Sequence, residues 1–131
     1  MVKYNLESIE DVLVLKYSNA SDALCDIEAI SPNIVILDYY LDSEDKLAPN
    51  GEFFLQEIKR RELKTSVIVF SGQSDSELSI ELLKAGAVDY VSKNADDFID
   101  KLMNSVMSII EINNAIHANN VAKKYSLFNI L

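Results

Sequence analysis

Short, nearly continuous apolar runs recur along this chain, and between them apolar residues fall at helical spacing. Val12-Leu13-Val14-Leu15 is the first run, followed by Ser18-Asn19 as punctuation. From Ala20 to Ile30, the residues Ala23, Leu24, Ile27 and Ile30 share a helical face, with Asn19 or Ser21 as N-cap. Ser31-Pro32-Asn33 ends that helix, because proline cannot continue it and pushes its predecessor toward extended geometry. Ile34-Val35-Ile36-Leu37 is apolar on both faces, as an interior parallel strand requires, and stops abruptly at Asp38. A polar loop from Asp42 to Asn50 follows. A helix from Gly51 to Arg61 then turns Phe54, Leu55 and Ile58 inward.

Val67-Ile68-Val69-Phe70 is the third buried run and ends in Ser71-Gly72. A helix capped by Ser74 or Asp75 passes through Leu78, Leu82 and Leu83 and closes at Gly86, where a left-handed residue is expected. Ala87-Val88-Asp89-Tyr90-Val91 predicts the last short strand before the long helix, ending at Ser92-Lys93. The long helix runs from Ala95 to Ala118, with Phe98, Ile99, Leu102, Val106, Ile109, Ile110 and Ile116 as its inward stripe. Asparagines at 113, 114, 119 and 120 weaken its second half. Residues 123–131 form a strand-like apolar tail.

Strands alternating with helices predict an α/β fold: a doubly wound parallel sheet with right-handed crossovers. In such sheets functional groups gather beyond the carboxyl ends of the strands. Three strand ends carry polar chemistry: Asp38, Ser71 and Lys93. A carboxylate that can attack phosphorus, a hydroxyl that can donate to a phosphoryl oxygen and an ammonium that can neutralise charge suit phosphoryl handling. Taken singly, each has a plainer reading as a turn residue, a loop former or a solvated charge.

Composition narrows the picture. The chain has 131 residues, enough for one core, with 49% hydrophobic and 25% charged positions. No apolar run approaches the ~20 residues needed to span a bilayer, and the start has no signal-peptide core. Cys25 has no internal partner and no metal-ligand set around it, which fits a reducing cytosol and a cytoplasmic protein. Twenty-one acidic against 12 basic residues give a net charge of −9, which argues against direct nucleic-acid contact. Lys59-Arg60-Arg61 reads as a solvated helix end. His117 stands in an Asn-rich stretch without ligand spacing.

Pro32-Asn33-Ile34-Val35-Ile36-Leu37-Asp38, Val69-Phe70-Ser71-Gly72 and Ala85-Gly86-Ala87-Val88-Asp89-Tyr90-Val91-Ser92-Lys93 together resemble the receiver domain of two-component response regulators, over roughly residues 2 to 112. The resemblance implies a flavodoxin-like fold, with residues 1–112 as the receiver and 113–131 as a helix extension and tail. It implies phosphorylation of Asp38 by a sensor histidine kinase or phosphotransfer protein, and a grip on the phosphoryl oxygens by Ser71 and Lys93. It further implies a switch through Ser71 and Tyr90 that changes the face of the last two helices. Mg²⁺ would be held by Asp38 and the backbone carbonyl of Tyr40. A receiver is a phosphoacceptor and not an enzyme beyond autodephosphorylation, and output would pass through a downstream partner protein, with no nucleic acid or membrane involved.

Three departures from the family pattern stand out. The loop after Asp38 is long, carries Asp42, Glu44 and Asp45, and has Tyr40-Leu41 in place of the common Met-Pro. Asn94 follows Lys93 where the family often has Pro. Residues 1–10 resemble the later part of the family's first helix, so the first strand and its acidic pair are missing. Met1 is then expected to be an internal methionine, with the true start upstream.

The missing strand would lie between the strands at 12–17 and 34–38, and an empty slot leaves backbone groups unpaired at ~1–3 kcal/mol each when buried. The tail has the right composition to fill it. Leu127–Leu131 is expected either to insert, in its own sheet or in that of a partner as a strand-swapped homodimer, or to fray. The rival functional reading is a degenerate receiver that serves as an interaction or dimerisation module, with Mg²⁺ binding weakened or lost. An aspartyl phosphatase would need an acid where Tyr40 stands, and a flavin protein would need a phosphate loop that is not visible.

Overall fold

The computed structural model describes residues 12–39, 51–72, 76–94, 96–116 and 125–130. Its strands are β1 (Val12–Tyr17), β2 (Ile34–Tyr39), β3 (Ser66–Ser71), β4 (Asp89–Ser92) and β5 (Tyr125–Ile130). Its helices are α1 (Ala20–Ile30), α2 (Gly51–Arg60), α3 (Ser76–Lys84) and α4 (Phe98–Ile116). The sheet order is β1-β5-β2-β3-β4, and every pair is parallel.

β5 takes the slot between β1 and β2. Along its length it pairs with β1, from Val12↔Tyr125 to Tyr17↔Ile130, and on its other edge with β2, from Ile34↔Leu127 to Leu37↔Ile130. Both facing rows of backbone donors and acceptors thereby find partners, which is the physical reason a strand belongs there. Of the two expectations for the tail, insertion is the one observed. Asn33, just before β2, fastens the entry: its N–H donates to the Ser126 carbonyl at 2.9 Å, and its Oδ1 accepts the Ser126 N–H at 3.0 Å.

Alternation along the strands divides the core in two. On one face, Val35, Leu37, Val67, Val69, Phe128 and Ile130 meet α1, α2 and Leu82 of α3; on the other, Ile34, Ile36, Ile68, Phe70, Val91 and Leu127 meet α4. Leu127 and Phe128 are completely buried, and burying each of these side chains is worth about 1.5–3 kcal/mol.

Helix ends follow local chemistry. Asn19 is the N-cap of α1, its side chain accepting the Asp22 N–H at 2.8 Å. α3 closes in a Schellman arrangement: Ala87 N–H reaches the Leu82 carbonyl, Gly86 N–H reaches the Leu83 carbonyl, and Gly86 has φ +119°. α2 closes the same way with Glu62 at the left-handed position, φ 55°. Arg60 pairs with Glu57, while Arg61 reaches both Glu57 and the Leu24 carbonyl, so the basic cluster braces α2 against α1 as well as meeting solvent.

Several expected boundaries shift. β1 ends at Tyr17, as the expected strand at 12–17 does, but β2 runs on past Asp38 to Tyr39. β4 begins at Asp89 instead of Ala87, because Ala87 is occupied in the closure of α3 and Val88 N–H joins the Val67 carbonyl. α4 begins at Phe98, and Leu83 of α3 faces solvent. The proposed caps Ser74 and Asp75, the loop from Asp42 to Asn50, His117 and Leu131 lie outside the described residues.

Candidate functional site

β2 is interior, flanked by β5 and β3, so its carboxyl end delivers Asp38 into a nearly closed position with 4% of the side chain exposed. Lys93 follows β4, two strands away, and its backbone N–H donates to the Ser71 carbonyl at 2.7 Å. From there its side chain crosses the end of β3. Nζ donates to both Oδ1 and Oδ2 of Asp38, each at 2.6 Å. Two groups 55 positions apart in the chain thus form a charge-assisted pair at the strand ends.

The residue beneath that crossing is Phe70. It is the register partner of Asp38, so both side chains rise on the same face of the sheet. The Lys93 Nζ lies 4.8 Å from the centre of its ring, and the Phe98 ring at the start of α4 lies 5.6 Å from that of Phe70. Asn94 ties the two neighbouring loops: its side-chain amide donates to the Gly72 carbonyl, and its N–H to the Ser92 hydroxyl at 3.3 Å. Phe70 and Asn94 were not singled out as site residues in the sequence. The available signal was position, since each adjoins a polar strand-end residue.

Ser71 ends β3 fully buried, and its carbonyl holds Lys93. Tyr90 on β4 is half-buried, packs against the core on the α1–α3 face, and lines a groove between β4 and α4 with Ser92, Lys101, Asn104, Ser105 and Ser108. Asp38 and Lys93 therefore meet directly, Ser71 lies on the strand between theirs and bonds Lys93 through its backbone, and Tyr90 stands on the neighbouring face. Tyr40 lies outside the described residues.

The profile of the response regulator receiver domain matches residues 1–107. The chain belongs to this family, and is a receiver domain of the two-component response-regulator class. It is 37% identical over 75 residues to the protein named "Probable C4-dicarboxylate response regulator DctR" of Bacillus subtilis, covering 57% of this chain and 31% of the relative. The Priestia megaterium protein of the same name is 34% identical over 89 residues, covering 67% and 37%. The chain thus spans well under half the length of these relatives. Among solved structures, the receiver domain of NtrX from Brucella abortus matches with TM-score 0.67 and 26% identity, covering 84% of this chain and 87% of that one. The receiver domain of the Francisella response regulator 1452 matches with TM-score 0.71 and 22% identity, covering 86% of each. A receiver domain is a phosphoacceptor, not a catalytic domain in itself, and the fold is the flavodoxin-like one expected.

Receivers generally bind Mg²⁺ at an acidic pocket. Among the described residues, no group of three or more His, Cys, Asp or Glu side chains could hold a metal. The β5 residue level with Leu37 is Ile130, not an acid, and both Asp38 oxygens are engaged by Lys93. The described residues do not make up a Mg²⁺ ligand set. No described helix is long and apolar enough to cross a membrane.

Proposed function

We propose that Asp38 is the phosphoacceptor of this receiver, with Lys93 and Ser71 gripping the transferred group. The observation that carries the reading is the Asp38–Lys93 pair, which joins a nearly buried carboxylate at the central strand end to a cation delivered by the last βα loop. In the reaction, an Asp38 oxygen forms an O–P bond as the P–N bond to the imidazole of a phosphohistidine on a sensor kinase or phosphotransfer protein breaks. The electron pair of the broken bond returns to the ring nitrogen, and the product is an acyl phosphate. The Lys93 ammonium then moves from carboxylate to phosphoryl oxygen and offsets the added charge. Ser71 donates its hydroxyl to another phosphoryl oxygen. Any enzymatic action is limited to loss of that phosphoryl group to water.

Among the described residues, Lys93 is the cation placed to offset the charge of the transferred group. The readout is a changed surface around Tyr90, α3 and α4, offered to a downstream partner protein. Residues 1–112 make up the receiver, and 113–131 its helical extension and tail strand. Because exchange of β5 between two copies preserves every pairing, a strand-swapped homodimer is proposed as a second assembly state, to be sought by light scattering at rising concentration.

The experiment is exposure to a small acyl phosphate with Mg²⁺, read by intact mass. One added phosphoryl group in the native chain and none in Asp38→Asn is the expected result. No gain in the native chain, from either acyl phosphate or a phosphohistidine donor, would favour the phosphorylation-independent interaction module instead.

A further inference from the structure

Lysine is a long, flexible side chain, and fixing it over a distant strand end costs rotamer entropy that some contact must offset. Salt bridging to Asp38 supplies part of that, but it holds only while the carboxylate is unmodified. A second contact does not involve the carboxylate. The ring of Phe70 lies under the ammonium at 4.8 Å and is 6% exposed. An aromatic face within about 6 Å attracts a cation through its quadrupole, more strongly where water is excluded. The ring is braced in turn by Phe98, 5.6 Å away with 36° between planes, at the first residue of α4.

We propose that Phe70 is the positioning residue of Lys93: its ring holds the ammonium at the mouth of the cleft before and after phosphoryl transfer, and through Phe98 couples the ammonium's position to the start of α4. This deepens the proposed phosphoacceptor role and rests on it for its kinetic consequence only. The geometric claim stands on the unmodified protein. It also gives the site a route to α4 on the sheet face opposite the one where Tyr90 packs.

Two substitutions separate a ring effect from mere volume. Phe70→Leu keeps an apolar side chain but loses the π face, and Phe70→Tyr keeps that face. Nitrogen-detected NMR of the unmodified protein should show a slowly exchanging Lys93 ammonium signal in the native chain and in Phe70→Tyr, lost or broadened in Phe70→Leu. Amide shifts at Phe98–Lys101 should move with Lys93→Met in the native background and stay put in Phe70→Leu. With an acyl phosphate donor, Phe70→Leu should gain phosphoryl about two- to fivefold more slowly, and Phe70→Tyr should recover the rate.

Urea midpoints check that each variant is folded. If Phe70→Leu is not, Phe70→Met takes its place, with similar bulk and no ring. Equal ammonium signals in the Leu (or Met) and Tyr variants would overturn the proposal whatever the phosphorylation result. A native chain that takes no phosphoryl group but shows the ring-dependent signal would leave Phe70's role standing and remove the phosphoacceptor reading instead.

Discussion

The rings of Tyr17 and Phe128 lie 4.6 Å apart, tilted by 49°, and join the last residue of β1 to the strand that arrives more than a hundred positions later. Tyr17 also donates its hydroxyl to Asp26 of α1 at 2.9 Å. The contact therefore gathers β1, β5 and α1 at the end of the sheet where the site is built. Aromatic pairs in this geometry add roughly 0.5–1.5 kcal/mol beyond the area they bury.

Phe128→Ala should lower stability by about 3–5 kcal/mol, since it removes a fully buried ring and leaves a cavity between β1, α1 and β2. Urea denaturation followed by far-ultraviolet dichroism measures this. A loss under about 1 kcal/mol would mean that β5 does not occupy the slot in solution.

Asn33→Ala should cost about 1 kcal/mol and, more tellingly, speed hydrogen exchange at Ser126 and its neighbours in β5. Exchange in β3 should change far less. Uniform acceleration across the sheet would point to global destabilisation instead of a local fastening.

Lys93→Met leaves the Asp38 carboxylate nearly buried without its cation, and is expected to cost about 1–3 kcal/mol. The double variant Lys93→Met/Asp38→Asn should lose less than Lys93→Met alone, because no uncompensated charge remains. A double-mutant cycle from urea midpoints gives the coupling. Additive losses would show that the pair does not form in solution.

Tyr17 should titrate late. Burial of its ring first, and then donation of its hydroxyl to the Asp26 carboxylate and the charge of that carboxylate, push its pKa up from 10.0 to about 12. The folded chain thus holds this proton more tightly than the unfolded chain. Its contribution to stability is complete below pH 10 and is lost as pH rises from 10 toward 12. Ultraviolet titration of phenolate in the native chain against Tyr17→Phe isolates the group, and a midpoint near 10 would refute the environment described.

Glu62→Gly should raise stability by up to about 1 kcal/mol, because Glu62 sits at φ 55° where a side chain is strained and glycine is not. Thermal unfolding reads the sign directly.

Much of the fold was legible in the sequence because its signals are local. Runs such as Ile34–Leu37 and Val67–Phe70 announce interior strands by being apolar on both faces, and α1 matches its expected span because Asn19 and Pro32 bracket it. Asp38, Ser71 and Lys93 were legible as candidates because each ends such a run. β4 was misplaced by two residues where the closure of α3 competes for Ala87, a competition between backbone partners that side-chain pattern does not record. Phe70 looked like one more core residue, and only the crossing of Lys93 over its ring gives it a second role.

Residue periodicity alone determined that this chain would form βα units with polar groups at their strand ends, because burial pattern and turn chemistry are properties of neighbours in sequence. Tertiary structure decided which strand lies beside which. Only packing could seat Tyr125–Ile130 between β1 and β2 and carry the Lys93 ammonium onto Asp38, since both depend on backbone and charged groups far apart in the chain finding compensation in each other's company.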